Sequence, residues 1–246
     1  MSNSPLDLMV DKLSTRVVLS EADRSAILAL PHELRTFDAA AYVVREGEKP
    51  RSHCDFIEKG FAFRQKLTSE GARQIVSLHM RGDFLDLQHL FLNVADHNVQ
   101  ALTKLNVVGI ERDALQTMAL ERPVVARAMW VDALVDASIS REWVMNVGRR
   151  DARARIAHVL CEFALRMKAA GFASDQGYEL PLTQEQLADV VGLTPVHVSR
   201  MLKSLEYDGI VQRNRRFISF RDWDVVATVG DFSALYLHLD QAVSRA

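Results

Sequence analysis

The chain has 246 residues, 48% of them hydrophobic, and a formal net charge of −2. This length and apolar content predict two domains with real cores, and no apolar run is long enough to span a membrane. The near-neutral charge excludes a globally basic chain, so any contact with nucleic acid must come from a local patch. Two cysteines, Cys54 and Cys161, exclude a disulfide framework, and the N-terminus lacks a signal-peptide pattern; both favour a cytoplasmic location.

Helical and then strand-like patterns occupy the first half of the chain. Apolar residues at helical spacing over residues 6–30 predict short helices. Between Leu34 and Arg112, short apolar runs alternate with turn residues, which predicts a small antiparallel barrel or roll. The predicted strands are Ala41–Arg45, His53–Glu58, Phe61–Leu67, Gln74–Met80, Val99–Leu102 and Val107–Ile110.

A long helix is predicted to begin at Pro123. About 25 residues at 1.5 Å each span roughly 37 Å, more than a small roll needs for cover. An inter-subunit coiled coil, and therefore a homodimer, is favoured over an amphipathic helix packed on its own domain, although Glu142 interrupts the apolar stripe. Gly148-Arg149-Arg150 predicts a hinge, and Asp151–Ala170 a second amphipathic helix. The predicted dimer residues are Val124, Ala128, Val131, Val135, Ser138, Ile139 and Met145.

The stretch from Thr183 to Phe217 carries the strongest functional signal. Thr183 followed by Gln186 is a capping box that opens a helix, and Gly192 permits the turn that ends it. Thr194 then caps a second helix, Thr194–Asp208, with Pro195 at its first position. Ile210 and Val211 begin a short strand, and a basic turn leads to the strand Phe217–Phe220. Two helices joined by a tight turn and followed by a hairpin predict a winged helix-turn-helix.

The charge pattern of the same stretch favours DNA binding. From Thr194 to Arg221 there are six Lys or Arg residues and two acidic residues. A plain helical hairpin with a solvated basic face is the alternative, but it does not explain this excess beside capped helices and a wing. Arg200 is predicted to read guanine, with Ser199, His197 and Lys203 as secondary contacts and the wing arginines on phosphate. The full predicted set is Thr194, Val196, His197, Ser199, Arg200, Lys203, Arg213, Arg215 and Arg216.

These patterns predict an α+β chain in three parts. They are a roll with N-terminal helices (residues 1–122), a dimerisation helix with a hinge (123–148), and a winged helix-turn-helix domain with a C-terminal tail (149–246). No nucleotide-binding loop, nucleophile elbow or clustered metal ligands are present, so an enzyme is not expected. A small-molecule-binding protein without DNA activity leaves the second domain unexplained.

Short motifs along the chain resemble those of the Crp/Fnr family of bacterial transcription regulators. The similarity runs from about Leu34 to Trp223 and depends on the order and spacing of the motifs. They are Arg45-Glu46-Gly47-Glu48, Phe56-Ile57-Glu58-Lys59-Gly60, Arg81-Gly82-Asp83-Phe84, Arg155-Ile156-Ala157, Leu182-Thr183, Gly192-Leu193-Thr194 and Ser199-Arg200, with Tyr236-Leu237-His238-Leu239 in the tail. The resemblance implies a cyclic-nucleotide-binding-like roll, a homodimer, a near-palindromic operator and contact with RNA polymerase, in an activator or a repressor.

The chain departs from the family at the effector site. Where cyclic-nucleotide-binding members have Gly-Glu and then Arg-Ser or Arg-Thr, this chain has Asp86-Leu87 and the stretch Asp96–Ala101, which contains no arginine. We therefore expect no binding of cAMP or cGMP, because no guanidinium is available for the phosphate. Two cysteines cannot supply a four-thiolate iron–sulphur cluster. No cofactor or metal is predicted, and the effector stays unknown.

A sensor of the same fold, whose DNA binding requires an unidentified effector, is the alternative. It would use a small molecule, haem held by one of His53, His79, His89 or His97, or the redox chemistry of Cys54.

Overall fold

The computed structural model describes residues 4–173 and 177–239. The chain divides into two compact units. The first runs to Lys66, resumes over Ser77–Ala137 and takes the described end of the chain from His238; the second consists of Leu67–Val76 and Ser138–Leu237. None of the described helices is both long and apolar enough to cross a membrane.

The N-terminal half of the chain, most of which belongs to the first unit, contains two antiparallel sheets with helices before and after them. The sheets have the strand orders β1-β7-β3 and β2-β6-β4-β5. The helices are α1 (Asp7–Ser14), α2 (Glu21–Leu28) and α3 (Arg112–Glu121); the strands are β1 (His32–Phe37), β2 (Tyr42–Val44), β3 (His53–Lys59), β4 (Ala62–Leu67), β5 (Arg73–His79), β6 (Asn98–Ala101) and β7 (Leu105–Glu111).

The predicted roll is confirmed, and two of its elements were missed. All six predicted strands are present within two residues of their expected bounds. The missed strand β1 is mostly exposed, so it lacks the apolar alternation that marks a strand; its place is set by pairing with β7, where Leu34 lies opposite Val108. The missed helix α3 buries only Leu115 and Met118, too few to produce a helical stripe.

Two carboxylates are enclosed inside the roll. Asp55 on β3 and Asp86, in the loop that follows β5, are both fully buried, and the Asp55 N–H donates to Asp86 Oδ1 at 2.8 Å. Arg35 contacts Asp55 Oδ1 at 2.9 Å. Burial, and next the neighbouring Asp55, raises the pKa of Asp86 to about 7, and burial also raises the pKa of Asp55. The pair therefore retains a proton close to neutral pH.

The long helix α4 spans Pro123–Arg149 without a break. Of the predicted hinge, Gly148 and Arg149 are therefore helical and only Arg150 lies between the helices, after which the Asp151 carboxylate caps the next helix. Glu142, expected to interrupt an apolar seam, is paired with Arg150 at 2.6 Å.

The predicted dimer stripe on α4 needs correction. Ala128 packs in the core formed by α1, α2, β3 and β7, and Val135, Ser138 and Ile139 are also buried within the chain itself. Val131 is half-buried, whereas Val124 and Met145 are exposed. Most of the predicted stripe therefore packs on its own chain, which is the alternative that the sequence analysis considered. The exposed apolar residues Trp130, Leu134 and Val144 lie on a neighbouring face.

The second unit contains the last part of α4 and the helices and strands that follow it. They are α5 (Ala152–Ala169), β8 (Tyr178–Glu179), α6 (Gln184–Val191), α7 (Pro195–Tyr207), β9 (Val211–Asn214), β10 (Phe217–Phe220) and α8 (Trp223–Val229), with a 3-10 turn at Ala234–Leu237. The sheet order is β8-β10-β9, so a third strand, β8, pairs with the predicted hairpin. The sequence analysis missed β8 because two residues are too few to give a strand pattern.

The tail of the second unit is fastened to α5 by a buried polar cluster. His158 is fully buried; one ring nitrogen lies 3.2 Å from the Gly230 carbonyl and the other 3.0 Å from the Tyr236 hydroxyl. That hydroxyl donates to the buried Glu162 at 2.8 Å, and the Trp143 indole N–H donates to the same carboxylate oxygen at 2.9 Å. The cluster joins α4, α5 and the tail.

Replacing Asp86 with Asn should flatten the pH dependence of stability. The folded chain holds a proton that the unfolded chain releases, so the wild-type free energy of unfolding should fall as pH rises from about 4 through about 7. The Asp86→Asn variant keeps an oxygen for the Asp55 N–H but does not titrate. Chemical denaturation at a series of pH values measures the difference.

The matched control is Asp38→Asn, because Asp38 is exposed. This variant should follow the wild-type curve. Parallel curves for the wild type and Asp86→Asn would contradict a proton held by the buried pair.

Candidate DNA-binding surface

The turn between α6 and α7 is set by capping and by one glycine. The Gln186 N–H donates to Thr183 Oγ1 at 3.1 Å and the Thr183 N–H donates to Gln186 Oε1 at 2.9 Å, which forms the predicted capping box. Gly192 ends α6 in the left-handed conformation, with φ +65°. A Cβ at Gly192 would lie 3.1 Å from Val147 Cγ1 of α4, so the position is both strained and closely packed for other residues.

Helix α7 has one buried face and one exposed face. Thr194 is its N-cap and accepts from the His197 N–H at 3.3 Å, and Pro195 occupies the first turn. Val198, Leu202 and Leu205 are buried. Because the helix repeats every 3.6 residues, this core stripe leaves the opposite face free to meet a ligand.

The exposed face of α7 carries most of the predicted contact residues. Val196, Arg200 and Lys203 are exposed in successive turns, and Val196 is 70% exposed. His197 and Ser199 lie half-buried at the edges of this face. Tyr207 continues the same face and is 92% exposed. Sequence reasoning missed Tyr207, although its spacing of seven from Arg200 could have identified it.

The wing ends in a two-residue basic turn. Strands β9 and β10 pair antiparallel with Asn214 opposite Phe217, so Arg215 and Arg216 form the tip. Arg215 has φ +56°, the left-handed conformation that two-residue hairpins require. The Leu180 N–H donates to the Arg216 carbonyl at 2.9 Å, which ties the tip to the segment beside β8. Both arginine side chains are exposed.

The third predicted wing contact, Arg213, is engaged elsewhere. Its guanidinium contacts both carboxylate oxygens of Glu206 on α7, at 2.9 and 3.3 Å. Sequence position alone did not show that Glu206 lies within reach of Arg213, and the phosphate contact of Arg213 stays a prediction. A similar pair joins Arg153 of α5 to Asp208, at 2.5 Å.

The roll shows how the residues near the expected effector position are used. The Asn98 side-chain oxygen accepts from the Glu46 N–H at 3.1 Å, and the Gln100 amide donates to the Ala40 carbonyl at 2.7 Å. The Asp96 carboxylate lies 2.6 Å from the His97 ring. The Gln100 amide, a neutral group that could have donated to an anion, is thus already bonded within the roll.

Of the alternative sensor residues, Cys54, His79, His89 and His97 are enclosed, whereas His53 is half-buried. Cys54 and Cys161 are buried, and burial raises the pKa of the Cys54 thiol well above its usual range and that of Cys161 to about 12. Burial also lowers the pKa of His89 and His97, which favours their neutral forms. Among the described residues, no three His, Cys, Asp or Glu side chains are grouped so as to hold a metal ion.

Two domain families match the chain. Residues 34–122 match the family described as cyclic nucleotide-binding domain, and residues 154–227 match the Crp-like helix-turn-helix domain. A cyclic-nucleotide-binding-type roll, a long helix and a helix-turn-helix with a basic wing together define a DNA-binding transcription regulator.

Similar proteins place the regulator in a family. The chain is 29% identical over 204 residues to the transcriptional activator protein FnrL of Cereibacter sphaeroides, covering 80% of each chain. It is 28% identical over 205 residues to the nitrogen fixation regulation protein FixK of Bradyrhizobium diazoefficiens, covering 81% of this chain and 83% of that protein. The structure of FixK2 from Bradyrhizobium japonicum has the same fold, with a TM-score of 0.74 at 24% identity over 83% of this chain and all of that one. The chain belongs to the Crp/Fnr family of transcription regulators.

Substitution of Gly192 tests whether the turn between α6 and α7 requires glycine. Gly192→Ala should lower the free energy of unfolding by about 1–2 kcal/mol, because an L-residue is strained in the left-handed region, and the contact with Val147 adds to this. Thermal unfolding measures the change. The control is Gly148→Ala inside α4, where a Cβ meets nothing within 4 Å; it should be neutral or stabilise by about 0.5–1 kcal/mol. Equal effects of the two substitutions would contradict the conformational argument.

Proposed function

We propose that this protein binds a near-palindromic operator as a homodimer, with α7 in the major groove, and controls transcription from nearby promoters. The observation that carries the proposal is the exposed face of α7, which lies opposite a fully buried stripe and is accompanied by a basic wing tip. An α-helix fits the major groove of B-DNA, and a cationic wing can track the neighbouring phosphates.

Arg200 is the proposed base reader. It is exposed in the second turn of α7, and a guanidinium can donate two hydrogen bonds to guanine O6 and N7. Lys203, one turn further on, and Ser199 and His197 at the edges supply secondary base or phosphate contacts. Arg215 and Arg216 bind the backbone from the wing, which orients the protein without reading sequence.

Val196 gives this operator a different base preference at one position. Family members that read the common guanine-centred half-site usually carry Glu there, which accepts from cytosine N4. The Val196 side chain is exposed and apolar, so it offers contact with a thymine methyl group instead.

The proposed dimer seam lies on the exposed face of α4. Trp130, Leu134 and Val144 are 68%, 65% and 74% exposed, and with Ala137 and Arg141 between them they repeat every three or four residues. This is the spacing of a two-stranded coiled coil, and it would shield large apolar side chains that otherwise contact water. Two-fold symmetry then matches a palindromic operator.

DNA binding is proposed to need no cyclic nucleotide. Asp86, at the position of the family's Gly-Glu pair, is enclosed with Asp55, and the Gln100 amide donates within the roll. Burying a phosphate near a carboxylate without a guanidinium partner is costly. Cytoplasmic location, contact with RNA polymerase, and activation like that named for FnrL are parts of the same proposal.

Placing charges on the exposed face of α4 should separate the subunits. The double variant Trp130→Glu, Leu134→Glu should be monomeric in sedimentation and bind the operator far more weakly, because like charges would meet across the seam. The control is Leu120→Glu, which alters an exposed leucine of α3 and should leave the dimer intact. A double variant that sediments as a dimer would place the interface elsewhere.

Two arginine substitutions should have different signatures on DNA. Selection from random DNA by the wild type, without added nucleotide, should return a defined half-site. Arg200→Ala should relax the preference at one guanine position of that half-site and reduce the binding free energy by about 1–3 kcal/mol. Arg215→Ala should weaken all sequences alike and lower the salt slope by about one. The same base preferences for wild type and Arg200→Ala would refute the assignment of Arg200.

A further inference from the structure

The C-terminal end of α7 contains two acidic residues beside a surface that is proposed to meet DNA. Glu206 lies in the last turn and Asp208 is the C-cap. Negative charge is unfavourable at the C-terminus of a helix, where the backbone dipole is also negative, and it is unfavourable near phosphates. A role in packing or positioning would explain why carboxylates stand there.

Each carboxylate is paired with an arginine from a different element. Arg213 of β9 reaches both oxygens of Glu206, at 2.9 and 3.3 Å. Arg153 of α5 lies 2.5 Å from Asp208 and donates to Ser204 Oγ at 3.0 Å. The two pairs bracket the last turn of α7, with the wing on one side and α5 on the other.

The Glu206–Arg213 contact has the geometry of an orienting interaction. A guanidinium that contacts both oxygens of a carboxylate is fixed in direction as well as distance. Both side chains are partly buried, which restricts their other conformations. Arg213 lies opposite Ile218 in the hairpin, and the tip residues Arg215 and Arg216 follow within three positions. The angle between the hairpin and α7 therefore depends on this pair.

We propose that Glu206 is a positioning residue for DNA recognition. Through Arg213 it holds the wing at the angle to α7 that brings Arg215 and Arg216 onto the backbone while Arg200 reaches the bases. Neither Glu206 nor Arg213 touches DNA in this arrangement. The proposal rests on the proposed DNA-binding function and adds to it a residue whose charge has the wrong sign for a direct contact.

The sign of one mutational effect tests the proposal. If charge alone matters, Glu206→Ala should tighten DNA binding, since it removes a negative charge near phosphates. If Glu206 positions the wing, the same change should weaken binding to the selected operator by about fivefold, within the range of couplings between contacting residues. Arg213→Ala should weaken binding to the same extent and change the salt slope by the same amount as Glu206→Ala, because both changes release the wing from the same contact.

The double variant and a control complete the experiment. Glu206→Ala with Arg213→Ala should bind as well as either single variant, since the second change removes nothing further. Glu185→Ala is the control: it removes an exposed carboxylate in the first turn of α6 and should not weaken binding. Tighter or unchanged binding by Glu206→Ala, or additive losses in the double variant, would overturn the proposal.

A measurement on the free protein separates this inference from the proposed function. Amide hydrogen exchange at Asn214–Phe217 should be faster in Glu206→Ala than in the wild type, because the hairpin loses its attachment to α7. Unchanged exchange would overturn the positioning role whether or not DNA binds. If the wild type binds no DNA in a gel-shift experiment, the proposed DNA-binding function is refuted, whereas the exchange result remains valid.

Discussion

The packing of the inner face of α7 is the constraint on which the proposed recognition surface depends. Val198, Leu202 and Leu205 are buried in three successive turns, so rotation of the helix about its axis would expose core residues to water. That cost determines which side chains face outward. The polar residues of α7 are therefore presented by apolar contacts on the opposite side, and the chemistry of the surface follows from the register of the core.

Much of this surface could be predicted because its signals are local. The capping box at Thr183, the turn at Gly192 and the spacing of the apolar residues in α7 each act within a few positions, and the structure agrees with them. The pairing of Arg213 with Glu206 could not be predicted with the same ease, because it joins a strand to a helix and depends on the angle between them. Strand β1 was missed for a similar reason: its place depends on a partner more than 60 residues away, as the pairing of Leu34 with Val108 illustrates.

Helix α4 shows how correct spacing can still select the wrong face. The predicted apolar stripe and the exposed apolar stripe both repeat every three or four positions along α4, and they are offset by one residue. Val135 and Ile139 are buried within the chain, whereas Leu134 is exposed. Sequence periodicity identifies that a helix has an apolar stripe, but it does not say whether the partner is the same chain or another. A long helix with apolar residues on two adjacent faces can satisfy both.

The tail beyond the wing completes the hydrogen bonding inside the second unit. The matched helix-turn-helix family stops at residue 227, before the 3-10 turn that contains Tyr236. A fragment cut at that boundary would retain His158 and Glu162 and lose the hydroxyl that lies between them. Both groups would then lose a hydrogen-bonding partner and part of their cover, and removing one partner of a buried polar group is destabilising. A fragment that keeps this buried cluster intact therefore extends past the family boundary, through Leu237.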